Sequence, residues 1–155
     1  MGQCITMTFP ILWQHIRTIR EEVFNALNEH HESVKLAAMM TMSELVENAI
    51  KYGESVDDAP CVSASLDIDA EQITIKVVNG SSSELSVSVL MSHIRLINQT
   101  EDKGELYLSR LSELMLRPGG GSQLGLYRIA FEGGFDLACN WSNRIVTVVA
   151  TRRLS

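Results

Sequence analysis

The chain has 155 residues, 45% of them apolar, enough to bury one core and too few to expect two full domains, so residues 1–155 are read as a single domain. A net charge of -6 argues against a nucleic-acid partner and against an anionic membrane, since both depend on clustered Lys and Arg. Three scattered cysteines, Cys4, Cys61 and Cys139, form no CxxC pair and read as free thiols of a reducing compartment. The segment from Cys4 to Leu12 lacks a basic start and a small-residue cleavage site, and no apolar run is long enough to span a bilayer, so a cytoplasmic protein is expected.

In chain order, Leu12, Ile16, Ile19, Val23 and Leu27 recur every three or four positions and predict an amphipathic helix between Phe9 and Asn28. His30-His31-Glu32 interrupts it, and Ser33 is the expected N-cap of a second helix that stops at Gly53. Val62, Ala64, Leu66 and Ile68 alternate with period two, as do Ile73, Ile75 and Val77 after the turn-prone Asp69-Ala70-Glu71, predicting a β-hairpin. Leu85 to Asn98 and Glu105 to Leu116 are helix-compatible. Pro118-Gly119-Gly120-Gly121-Ser122 then precedes a short apolar helix, Leu124 to Phe131, ended by Gly133-Gly134. Two further strands, Phe135 to Trp141 and Ile145 to Arg152, follow around a turn at Ser142-Asn143. The order α, α, β, β, helical insertion, α, β, β predicts an α+β fold: a two-layer sandwich with a mixed, mostly antiparallel sheet and helices on one face.

The second helix carries the chemistry. At about 100 degrees per residue, Glu44, Asn48 and Lys51 share one stripe, while Met42, Leu45, Val46, Ala49 and Ile50 lie opposite and face a core. An amide oxygen on Asn48 can ligate a hard cation that also holds phosphate oxygens. Lys51 can meet phosphate charge, and Glu44 can take a proton from an attacking hydroxyl or water. Any amphipathic helix places such residues on its wet face, so the spacing permits a site without establishing one.

The run Glu44-Leu45-Val46-Glu47-Asn48-Ala49-Ile50-Lys51-Tyr52 resembles the N box of the GHKL, or histidine-kinase-like, ATPase superfamily. The resemblance implies ATP and Mg2+ as cofactors, Asn48 as the metal ligand, Lys51 and Tyr52 as nucleotide contacts, and Glu44 as the catalytic base of anti-sigma-type serine kinases. Gly119, Gly120, Gly121, Ser122, Leu124, Gly125 and Leu126 are similar to the second glycine box, with Gln123 where the family usually has its middle glycine. Such a run before a helix can receive phosphate on backbone N–H groups, though a glycine-rich linker would read the same way. The first glycine box departs further. Where the family has Asp-x-Gly-x-Gly, this chain has Val78-Asn79-Gly80-Ser81-Ser82, so Asn79 offers an amide oxygen in place of the carboxylate that accepts from adenine. The insertion between Leu85 and Leu116 resembles that of small SiaB-type kinases.

The resemblance therefore implies a serine/threonine protein kinase in bacterial partner-switching signalling. Its partner would be a small regulatory protein resembling an anti-sigma antagonist, or a sigma factor, and a homodimer is expected. A nucleotide-dependent binding module without phosphotransfer, and a nucleotide-free scaffold, are the alternatives. His30 and His31 read as a surface pair, and Met39, Met40 and Met42 as core filler.

Overall fold

The computed structural model describes residues 3–9, 16–57, 59, 61–116 and 124–154, the first of these segments as backbone only. Its elements are β1 (Gln3–Phe9), α1 (Ile16–Ala26), α2 (Glu32–Tyr52), β2 (Val62–Ile68), β3 (Gln72–Gly80), α3 (Glu84–Gln99), α4 (Lys103–Leu116), α5 (Leu124–Phe131), β4 (Asp136–Ser142) and β5 (Ile145–Arg153). The five strands form one sheet in the order β1-β2-β3-β5-β4.

Every strand pair among these is antiparallel, which corrects the mixed sheet expected from the sequence. The second correction is β1 itself. Its Ile5, Met7 and Phe9 pair with Leu66, Ala64 and Val62, a period-two pattern not expected from the sequence, and Phe9, expected at the start of the first helix, ends this strand instead.

The hairpin β2–β3 forms as predicted, its turn fixed by Asp69, whose Oδ1 accepts from the backbone N–H groups of Glu71 at 2.7 Å and Gln72 at 2.9 Å. The β4–β5 turn centres one residue beyond its predicted place, with Asn143 and Arg144 both in the left-handed region at φ 53° and 63°. Two such residues give the twist that a two-residue hairpin requires.

Buried and half-exposed residues alternate along β2, β3 and β5, so the sheet buries one face. Leu66, Ile73, Ile75, Val77 and Ala150 on that face join Met42, Leu45, Val46 and Ala49 of α2 in one core. Ile19, Val23 and Leu27 of the first helical segment enter the same core, and α1 packs along α2. The first helix therefore spends its apolar stripe inside its own chain. Among the described residues, no helix is long and apolar enough to cross a membrane.

α2 begins one residue before its predicted cap. His31 serves as N-cap, its Nδ1 accepting from the Ser33 N–H at 3.1 Å, and Glu32 places a carboxylate in the first turn where the helix dipole favours it. The helix ends at Gly53, as predicted, where the Gly53 N–H donates to the Ala49 carbonyl at 2.9 Å. With both ends fixed, α2 carries Glu44 and Asn48 across the sheet in a single register.

Candidate functional site

A cleft lies on the helical side of the sheet, between α2, the ends of β3 and β5, α3 and α5. Its walls are largely apolar: Leu45 and Ala49 from α2, Val77 from β3, Val146 and Val148 from β5, Val87 and Leu90 from α3, and Leu126 from α5. Asn48 and Tyr52 enter from α2, Asn79 from β3, and Ser81 and Ser86 from the loop and first turn of α3. An apolar cavity with a few converging polar groups is the usual make-up of a small-molecule site.

The polar groups differ in what they have left to offer. The Asn79 amide donates from Nδ2 to the Gly80 carbonyl at 2.9 Å, which leaves Oδ1 as its acceptor. Neither Asn48 Nδ2 nor Ser81 Oγ has a hydrogen-bond partner, although both atoms are buried. Unpartnered buried polar atoms cost free energy unless a ligand satisfies them.

The loop after β3 is fastened from three sides. Trp141 Nε1 donates to the Ser81 carbonyl at 3.0 Å, and the Ser81 N–H donates to the Arg144 carbonyl at 2.8 Å. Ser82 donates from its backbone N–H and its hydroxyl to the Glu54 carboxylate, and these bonds hold the Glu54 pKa below its ordinary value. Such anchoring positions Asn79 and Ser81 before any ligand arrives.

Of the residues singled out from the sequence, Asn48, Tyr52, Asn79 and Leu126 meet in the cleft. Glu44 lies one turn earlier on α2 and outside the lining, its Oε1 accepting from Arg128 Nη1 of α5 at 3.1 Å. Burial, more than the neighbouring Glu47, raises the Glu44 pKa, and Arg128 pulls it back down. Lys51 is exposed, its Nζ 5.2 Å from the centre of the Tyr52 ring, and is not part of the lining.

The two described glycines of the predicted site meet other protein atoms. A Cβ on Gly80 would come within 2.5 Å of the Glu54 carbonyl oxygen, and one on Gly125 within 2.1 Å of Glu44 Oε2. Gly80 thus admits the strand-like segment at Glu54, and Gly125 lets α5 approach the Glu44 carboxylate. Leu124 opens α5 half-exposed and outside the cleft lining. Gly119, Gly120, Gly121 and Ser122 lie outside the described residues.

Sequence reasoning missed Ser81, Ser86, Val87 and Leu90, because the serine cluster reads as punctuation and α3 shows its wall only once folded over the sheet. It also missed Arg128, which lies 84 positions from Glu44. Among the described residues, no three His, Cys, Asp or Glu side chains gather as metal ligands.

Fold and cleft together define an α+β protein with one antiparallel sheet and a partly apolar cleft beneath its helices. No family model matches the chain. Over 118 residues, 74% of the chain, it is 25% identical to the bifunctional protein GlmU of Clostridium botulinum (strain 657 / Type Ba4), and it spans about a quarter of that protein's length. Similarity of that extent shows no family.

Proposed function

We propose that the cleft is a nucleotide site and that this chain is an ATP-binding regulatory protein of the histidine-kinase-like type. Its activity in this reading is that of a serine/threonine protein kinase acting on a small regulatory partner. The observation that carries the reading is the convergence of Asn48 and Asn79 across an apolar cleft. One amide sits on the floor helix, and the other sits at the end of the second hairpin strand. The apolar walls suit a purine, for which Asn79 Oδ1 supplies an uncharged acceptor.

Magnesium fits this arrangement through Asn48. Because Asn48 Nδ2 donates to no protein group, turning the amide oxygen toward a cation that keeps most of its waters and shares phosphate oxygens breaks no hydrogen bond at that nitrogen. When bound, the ion neutralises phosphate charge. The chain's own residues supply the base pocket and the orientation of α5, which follows the glycine-rich segment.

A second reading, a nucleotide-dependent binding module without phosphotransfer, is favoured by the Glu44–Arg128 ion pair. A base with one oxygen held by a guanidinium is a poorer proton acceptor. Both readings expect magnesium ATP to raise the melting temperature, by about 2.7 kcal/mol of added stability at a hundred times the dissociation constant. Transfer of label from the γ-phosphate to a co-purifying protein separates them: transfer supports the kinase, and binding without transfer supports the module. No shift with either ATP or ADP removes both.

A further inference from the structure

A second cavity opens between α3, α4 and α5 and shares no lining residue with the cleft. His93 comes from α3, Arg110 and Glu113 from α4, and Tyr127 from α5, with Leu96 and Leu106 as apolar walls. The Tyr127 hydroxyl lies 2.5 Å from His93 Nδ1, and the two rings meet edge to face with centres 5.6 Å apart. The Arg110 guanidinium stands 5.7 Å from the centre of the Tyr127 ring.

Arg110 and Glu113 cancel in formal charge but differ in exposure to water. Arg110 Nη1 donates to Glu113 at 3.0 Å, but the Glu113 side chain is 61% exposed against 22% for Arg110, so water screens the anion more than the cation. Arg110 Nε is buried with no hydrogen-bond partner. Burial, and after it the Arg110 charge, holds the His93 pKa below its ordinary value, so the ring is neutral at neutral pH. A neutral imidazole that accepts the Tyr127 proton at Nδ1 carries its own proton on Nε2, which makes it a second N–H donor.

We infer that this cavity binds a small organic carboxylate with an apolar body, Arg110 and His93 taking the carboxylate and Leu96 and Leu106 flanking the apolar part. A guanidinium fork matches a planar carboxylate. With Arg110 already paired to Glu113, a carboxylate monoanion adds one negative charge beside Glu113 and a phosphate dianion adds two, so the monoanion meets the smaller repulsion. The site is independent of the nucleotide reading, since neither its residues nor its ligand belong to the cleft.

The test titrates benzoate, benzyl alcohol and inorganic phosphate into the full chain while following the His93 Cε1–H resonance, assigned by its loss in His93→Gln. Benzoate is expected to give a saturable shift with a dissociation constant of about 1 mM or lower, benzyl alcohol none, and phosphate binding at least about tenfold weaker. Arg110→Gln weakens benzoate by at least about tenfold, and Glu113→Gln leaves it equal or tighter. No saturable benzoate shift, an equal response to benzyl alcohol, tighter phosphate binding, or full affinity in Arg110→Gln each overturns the assignment. Glu113→Gln, on the exposed side of α4, checks the charge argument without touching the buried arginine stem: weaker benzoate binding there contradicts it.

Discussion

Glu44 and Arg128 join α2 to α5 through a 3.1 Å ion pair, in which the carboxylate is 21% exposed and the guanidinium 38%. Arg128 also donates from Nε to Glu132 at 3.0 Å, so one cation serves two carboxylates, one on α2 and one just past the end of α5. Because Glu44 is the more buried partner, removing Arg128 leaves a half-desolvated charge behind. Arg128→Ala is expected to cost about 1 kcal/mol at neutral pH. Burial raises the Glu44 pKa above its ordinary value of 4.5, so the folded state binds that proton more tightly than the unfolded chain. The stability tied to Glu44 is therefore present below pH 4.5 and lost as pH rises through the raised value. The Arg128→Ala penalty should shrink on acidification through the same window, as urea melts at several pH values will read. A penalty that grows toward acid pH contradicts the assignment.

Gly125 tests the same contact sterically. Its added Cβ would meet Glu44 Oε2 at 2.1 Å and Glu44 Cδ at 2.9 Å, so Gly125→Ala must push the carboxylate aside. The helix gains about 1 kcal/mol from replacing glycine by alanine, which offsets the lost ion pair. The single variant should thus melt within about 1 kcal/mol of the parent, while adding Arg128→Ala to it costs almost nothing further. Full additivity in that double-mutant cycle would show that Glu44 keeps its partner.

His93 gives the opposite pH dependence. Its pKa lies below the ordinary 6.5, so the unfolded chain takes up the proton first and stability falls as pH drops through that region. His93→Gln is expected to flatten the loss below pH 6.5 while costing about 1 kcal/mol at neutral pH for the missing Tyr127 hydrogen bond. Identical acid-side slopes in parent and variant would contradict the buried neutral imidazole.

Much of this architecture was legible because it rests on local periodicity. The stripe from Met42 to Ile50 and the alternation of Val62 to Ile68 each repeat for several turns or residues, and both elements form where predicted. β1 was lost because its short alternation runs into the apolar residues that lead to the first helix. His31 was passed over as a cap because its imidazole accepts a backbone N–H in a role usually taken by Ser, Thr, Asp or Asn. In the cleft, Asn48 and Asn79 could be singled out by residue type, but Ser81 and the α3 wall depend on where the chain returns after β3. The Glu44–Arg128 pair has no sequence signal, since nothing local links positions 84 apart.

The most direct measurement is the melting temperature of the parent and of Asn48→Leu, each with and without magnesium ATP. Leucine removes a buried amide nitrogen that has no partner, so the variant without ligand should be as stable as the parent or more so, by about 1 kcal/mol and a few degrees. Magnesium ATP should stabilise the parent and leave Asn48→Leu unmoved. A parent that does not respond to magnesium ATP, or an Asn48→Leu variant that responds as fully as the parent, would contradict the assignment of the cleft as a nucleotide site built on Asn48.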